Sequence, residues 1–323
     1  MIWSIRAISR LNSGVSSVPD NRGMGVCVGV DVGGTKIVAG VVGDDGAVVD
    51  REHRDTPVRT SAPDVVEGLI VDAVEGLRAR QDVGSVGIAA AGFVDAAGAR
   101  VRFAPHLAWR DEPLRDRLES RLGLPVLVAN DANAALWAEH RFGAAAGVRD
   151  VVMVTLGTGI GGALLLDGRL HTGRNGMAGE FGHMRVVPDG RPCECGHTGC
   201  WEQYCSGKAL TRFAREAGSS AVGPEITERA ERGETVALGA FADVGRWLGV
   251  GLADLVAAFD PDLVLVGGGV SAAGDLLLVP ARRTFAESLV GSGHRDVPPI
   301  LGAALGPLAG LVGAADLAAG SAA

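Results

Sequence analysis

Aromatic side chains are scarce in this chain, 4% of 323 residues, whereas glycine is abundant at 49. A sequence so poor in large rings and so rich in glycine suits close backbone packing and tight loops. Basic residues are outnumbered by acidic ones, 30 to 38, and the net charge of -8 disfavours nonspecific adhesion to nucleic acid or anionic membrane. The first 23 residues, with Arg6 and Arg10, hold neither a periodic core pattern nor a secretory apolar run. They are expected to form a disordered, dispensable extension ahead of a strand that begins after Met24. Residues 300–317 are apolar over almost the length of a membrane span, but Pro307, Asp316 and the alanine and glycine content fit a helix on a soluble core. These absences point to a cytoplasmic protein with no membrane or nucleic-acid partner. At 47% hydrophobic and 21% charged, the chain is long enough for two globular domains.

Cysteine is also sparse, five residues, yet three of them fall within eight positions: Cys193, Cys195 and Cys200. With His183 they offer three thiolates and an imidazole, a soft donor set suited to tetrahedral zinc. Packing and a disulfide are the alternatives. The cluster lacks apolar periodicity, and nothing marks the chain as secreted, so zinc is preferred. A closed set of four ligands leaves no open position, which makes the metal structural. Glu180 and Glu202 flank the cluster, so folding around the metal would hold both carboxylates near one imidazole. Cys27 and Cys205 are read as structural.

Two stretches share one design. A short apolar run over 26–30 leads into Asp31-Val32-Gly33-Gly34-Thr35-Lys36, a second apolar run, the Asp44-Asp45-Gly46 turn and a return over 47–50. Later, 151–156 leads into Gly157-Thr158-Gly159-Ile160-Gly161-Gly162, an apolar run over 163–166 and the Asp167-Gly168 turn. Internal duplication is the simplest reading. The second stretch satisfies G-x-G-x-x-G, but a strand follows where a dinucleotide site needs a helix. No G-x-x-x-x-G-K-S/T exists either. What remains is a pair of glycine hairpins whose N–H groups can cradle phosphate oxygens.

Between the hairpins, Ser61 or Thr60 is expected to cap a helix over 63–80, followed by a strand over 86–90, a helix over 114–122 and a strand over 126–129. That strand delivers Asn130 and Asp131 to the start of a helix ending at Gly143, where they either cap the helix or face a ligand. A helix over 235–259 stops at Asp260-Pro261, and a buried strand over 263–266 ends in Gly267-Gly268-Gly269, a tight turn or a seat for a flat adenine.

Taken together, Asp31-x-Gly33-Gly34-Thr35-Lys36, Asn130-Asp131, Gly179-Glu180-x-Gly182-His183 and Cys193-x-Cys195-Gly196-x-x-Gly199-Cys200-x-Glu202 resemble the ROK sugar kinases, most closely their actinobacterial glucokinase branch. The resemblance runs from about Met24 to the C-terminal region. It implies an α/β, actin-like ATPase (ribonuclease H-like) fold, with a small domain over 24–133 plus roughly 303–323, a large domain over 134–302 that carries the zinc loop, and an active-site cleft between them. It implies Asp131 as general base and sugar contacts from Gly92, Asn130, Asp131, Glu180, His183 and Glu202. ATP would be held by Asp31, Gly33, Gly34, Thr35, Lys36, Thr155, Gly157, Thr158, Gly159, Gly267, Gly268 and Gly269, with Mg2+ near Asp31 and structural Zn2+ on His183, Cys193, Cys195 and Cys200. A homo-oligomer, dimer or tetramer, is expected.

The segment Phe103-Ala104-Pro105-His106-Leu107-Ala108-Trp109 resembles a sugar-side loop in which members often carry Asn where His106 stands. Glucokinase is the first reading, with ATP and sugar on separate loops. A kinase for another hexose or an N-acetylhexosamine is second, and a sugar-responsive transcriptional regulator, which would need a DNA-binding domain, is third.

Overall fold

The computed structural model describes residues 26–321, so the extension expected over 1–23 lies outside the described residues. The first apolar run becomes β1 (Val26–Val32), and the glycine turn feeds β2 (Lys36–Val42), which returns antiparallel with Ile37 opposite Val32. After the turn at Gly46, β3 (Val48–Asp55) runs past the expected end at Asp50. Its residues alternate in exposure along a charged edge strand, where Arg80 holds Asp50 and Glu52 at 2.8 Å each. An edge strand guarded by charge carries no apolar signal to read.

Helix α1 (Pro63–Arg78) buries Val66, Ile70, Val74 and Leu77. Neither Ser61 nor Thr60 caps it: Ala62 is the N-cap and makes no side-chain bond. Pro63 at the first helical position sets the start, since its missing N–H would have gone unpaired there. Next come β4 (Val83–Ala90), a three-stranded flap of β5 (Phe93–Val94), β6 (Val101–Phe103) and β7 (Arg110–Glu112), then α2 (Leu114–Leu122) and β8 (Val126–Asn130). The first sheet has the order β3-β2-β1-β4-β8, with β4 parallel to both β1 and β8.

Helix α3 (Asp131–Phe142) connects to β9 (Val151–Leu156), β10 (Ile160–Leu166) and β11 (Arg169–Leu170), the second glycine hairpin. Gly143 closes α3 as expected, but with φ -123° rather than in the left-handed region. A side chain at Gly143 would strike the buried Glu139 carboxylate, which accepts from Ala144 N at 2.8 Å. Beyond lie α4 (Gly207–Glu216), α5 (Pro224–Glu231), α6 (Thr235–Phe259), β12 (Leu263–Gly267), α7 (Asp275–Ser288), β13 (Ile300–Gly302) and α8 (Ala309–Ser321). The second sheet has the order β11-β10-β9-β12-β13, again a hairpin followed by two parallel strands. The duplication seen in the sequence is thus a duplication of topology.

Among the described residues, α6 is the helix long and apolar enough to cross a membrane. Here it is a core helix, burying Phe241, Val244, Leu248, Leu252 and Val256. Residues 300–317 are divided among β13, a 3-10 turn and the first part of α8. Helix α8 returns to the first sheet. A Cβ on Gly29 would stand 1.9 Å from the Leu311 carbonyl oxygen, and one on Gly87 1.8 Å from that of Ala314. On its other side Gly313 meets the Ala134 carbonyl of α3 just as closely, at 1.7 Å. Glycine therefore lets α8 lie backbone to backbone between the sheet and α3. Asp316 ties it there, accepting from Trp137 Nε1 at 2.7 Å and Arg141 Nε at 3.0 Å.

Candidate active site

Strand β8 ends on Asn130 and α3 begins on Asp131. The Asn130 Oδ1 accepts from Ala132 N at 2.9 Å and Asn133 N at 3.1 Å, so Asn130 does cap the helix. Its amide nitrogen is left to donate to Gly92 O at 3.1 Å and to Asp131 Oδ1 at 3.0 Å. One side chain thus starts the helix and fixes the neighbouring carboxylate. Burial pushes Asp131 above its ordinary value, against the lowering effect of the Ala132 N–H, its own N–H and Asn130.

At the end of β1, Asp31 is raised to about 6, first by burial and then by the charge of Asp131, with Lys36 opposing. Glu180 is raised to about 7 by burial, then by Asp131 and Glu202. Carboxylates carried by both sheets therefore share one electrostatic neighbourhood. Burial and neighbouring like charges bring Asp31 and Glu180 toward neutral pH, where either protonation state is accessible.

The first glycine turn is closed by Gly33 N donating to Lys36 O at 3.0 Å and by Thr56 Oγ1 donating to Gly33 O at 2.8 Å. Gly34, Thr35 and Lys36 are exposed. In the second turn Gly157 N donates to Gly159 O at 3.0 Å, and Gly207 N, at the start of α4, donates to Gly157 O at 2.8 Å. Thr158 is exposed at its tip. Gly267 pairs in register with Thr155, and Gly268, at φ 85°, lies against the Leu156 backbone, so the third glycine run abuts the second turn.

The position of Glu202 adds a contact between two loops. Its Oε2 accepts from Ile160 N at 3.0 Å, and a Cβ on Gly159 would meet that oxygen at 2.0 Å. The carboxylate is seated on the second glycine loop, so the cysteine loop and the second glycine loop touch.

The Gly179–His183 stretch packs onto β10 because three glycines permit it. A Cβ on Gly162 would strike Phe181 at 2.2 Å and one on Gly179 would strike Gly162 O at 2.5 Å, while Gly182 lies on Ile160 O. Four donor atoms, from His183, Cys193, Cys195 and Cys200, lie within 4.8 Å of one another. The Cys195 and Cys200 sulfurs are 3.6 Å apart, and Cys193 Sγ is 3.8 Å from His183 Nδ1. Thiolates at about 2.3 Å from one tetrahedral ion stand about 3.8 Å apart, so the residues present fit zinc. A disulfide would need about 2.05 Å. His197 is a neighbour the sequence did not signal: its Nδ1 is 3.8 Å from Cys195 Sγ, and its carbonyl accepts from Cys193 N at 2.8 Å. Of the other cysteines, Cys27 meets Ser85 Oγ at 3.2 Å, and Cys205 is fully buried in the second core.

Comparison with known proteins gives the family. The ROK family model matches residues 27–321. A glucokinase from Streptomyces coelicolor is 45% identical over 313 residues, which span 91% of this chain and 98% of that protein. The crystal structure of a ROK family glucokinase from Streptomyces griseus in complex with glucose and AMPPNP is 48% identical, with a TM-score of 0.84 over 92% of this chain and 100% of that one. The ROK hexokinase from Thermus thermophilus is 36% identical, with a TM-score of 0.77 over 93% and 99% of the two chains.

Proposed function

Since the chain belongs to the ROK family, with its actin-like ATPase fold, we propose that it is a glucokinase that transfers the terminal phosphoryl group of ATP to glucose, forming glucose 6-phosphate. The observation that carries this reading is the meeting of two topologically duplicated glycine hairpins at one cluster of carboxylates. The cluster would lie in a cleft between a small domain, 24–133 with 303–323, and a large domain, 134–302.

A sugar hydroxyl is a weak nucleophile at neutral pH, so a carboxylate has to take its proton as the phosphoryl group moves. Asp131 is assigned that task. Burial raises its basicity, and Asn130 holds it through Oδ1, which leaves Oδ2 for the hydroxyl. Asn130, Gly92, Glu180, His183 and the second oxygen of Glu202 would bind the remaining hydroxyls. The N–H groups of Gly33–Thr35 and Gly157–Gly159, with Thr155, would cradle the phosphates, and Gly267–Gly269 would take the adenine. Lys36, exposed beside Asp31, would be a solvated cation at the phosphate end. When bound, Mg2+ supplies charge neutralisation on the phosphates, and Asp31 would orient it. Zn2+ on His183, Cys193, Cys195 and Cys200 would hold the loop that carries Glu180 and Glu202.

The test is a panel of glucose, mannose and N-acetylmannosamine, each with ATP or polyphosphate, in which the phosphorylated sugar is quantified. Glucose with ATP is expected to give the highest kcat/KM. Turnover confined to the N-acetylated sugar, or none with any hexose, would overturn the reading.

A further inference from the structure

His106 stands at the exposed tip of the 104–109 loop, between β6 and β7 of the flap, and nothing above assigns it a task. The loop that bears it is unusually well fixed. Ala104, Leu107 and Trp109 are at most 2% exposed, and the Arg110 guanidinium donates through one nitrogen to three loop carbonyls, Ala104 at 2.8 Å, Leu107 at 3.0 Å and Trp109 at 2.6 Å. Arg110 in turn lies 4.2 Å over the Phe103 ring. A backbone held this way presents its one exposed imidazole in a defined place.

That place is the first glycine turn. A Cβ on Gly34 would stand 2.9 Å from His106 Cβ, 3.2 Å from Cγ and 3.6 Å from Cδ2, so the imidazole edge rests directly on the Gly34 backbone. Gly34 and Thr35 are exposed beneath it, and the turn begins two residues after Asp31. His106 therefore sits where the first glycine turn and the flap meet.

We propose that His106 is a donor-binding residue: seated on Gly34 by its pinned loop, it offers a ring N–H to the terminal phosphate of the nucleotide held by the first glycine turn. The inference rests on the kinase reading for the identity of the ligand. It goes beyond that reading in giving this chain a nitrogen donor on the γ-phosphate that comes from the flap rather than from either glycine hairpin. It also gives a reason for glycine at 34, since any side chain there would displace the imidazole.

A packing role and a binding role separate in two variants. His106→Phe keeps an aromatic ring against Gly34 and removes both nitrogens, while His106→Gln restores an N–H donor on a side chain of similar reach. Binding of AMP-PNP and of ADP, each with magnesium, is measured by titration calorimetry on the full chain, together with melting temperature. A hydrogen bond to a charged phosphate oxygen is worth about a tenfold change in affinity or more. His106→Phe is expected to weaken AMP-PNP about tenfold and ADP less than twofold with no loss of melting temperature, and His106→Gln to recover most of the deficit. Equal weakening of both nucleotides, no weakening of either, or a Gln variant no better than Phe would overturn the proposal. The readout needs no sugar turnover, so a chain that binds AMP-PNP through His106 yet phosphorylates no glucose would sink the glucokinase reading and leave this one standing.

Discussion

Asp131 is pulled in two directions, because a carboxylate at the start of a helix is favoured in its charged form while the same group out of water is disfavoured. Burial prevails, so its charge is held at a cost to the fold. Asp131→Asn should therefore leave the melting temperature unchanged or higher near pH 8, and lower kcat by about 100-fold or more if the residue is the base. Near-normal turnover in the folded variant would remove the assignment. Asp31 permits a pH test on the nucleotide-free protein. Its folded value, about 6, lies above its unfolded one, so its contribution to stability is complete below about pH 4 and is lost as pH rises through about 6. Denaturant titrations should then show Asp31→Asn gaining on wild type between about pH 4 and pH 7, and a constant difference across that range would contradict the shift. Asn130 and Asp131 were legible in the sequence because a polar pair at the end of an apolar strand is out of keeping with the run before it. The seat of Glu202 on Ile160 N was not, since it depends on a contact between residues 42 positions apart. His197, too, was hidden as an unspecified position inside the cysteine motif.

At the scale of elements, the glycine hairpins were readable because each places a turn signal between two apolar runs of strand length. The flap was not, because strands of two or three residues are too short to show a period. The charged β3 was under-read for the opposite reason: its alternation is present, but its buried face is only half buried. The cysteine loop gives the sharpest prediction at this scale. If Cys195 is one of four zinc ligands, Cys195→Ala should lower zinc per chain, measured by atomic absorption, with loss of sugar affinity. With ATP and sugar expected on separate loops, nucleotide binding would suffer far less than sugar binding. With Glu202 bonded to Ile160 and packed on Gly159, loosening the loop should also weaken AMP-PNP, by about three- to tenfold for one displaced hydrogen bond. Unchanged nucleotide affinity in a zinc-depleted variant would show that Glu202 keeps its seat without the metal.

Considered as a whole, the molecule is two sheets of matching topology joined through α3 and α8, the first sheet being covered by a helix from the far end of the chain. The glycine content that hinted at close packing finds its largest use there. Gly87→Val would drive a side chain into the Ala314 carbonyl and should cost about 3 kcal/mol or more, read as a fall in urea midpoint or as loss of soluble protein. The same substitution at Gly302, a strand glycine of β13 with open space around it, is the control for strand propensity alone.

The return of α8 also bears on how the protein is made. Strands β1, β2, β4 and β8 are complete by Asn130, but the helix that buries Gly29 and Gly87 begins only at Ala309. On the ribosome, at about 5–20 residues per second, the first sheet must wait on the order of ten seconds with one face uncovered while the second half is translated. Ribosome-bound chains stalled before Ala309 should be protease-sensitive in the first sheet and become resistant once α8 is free of the exit tunnel.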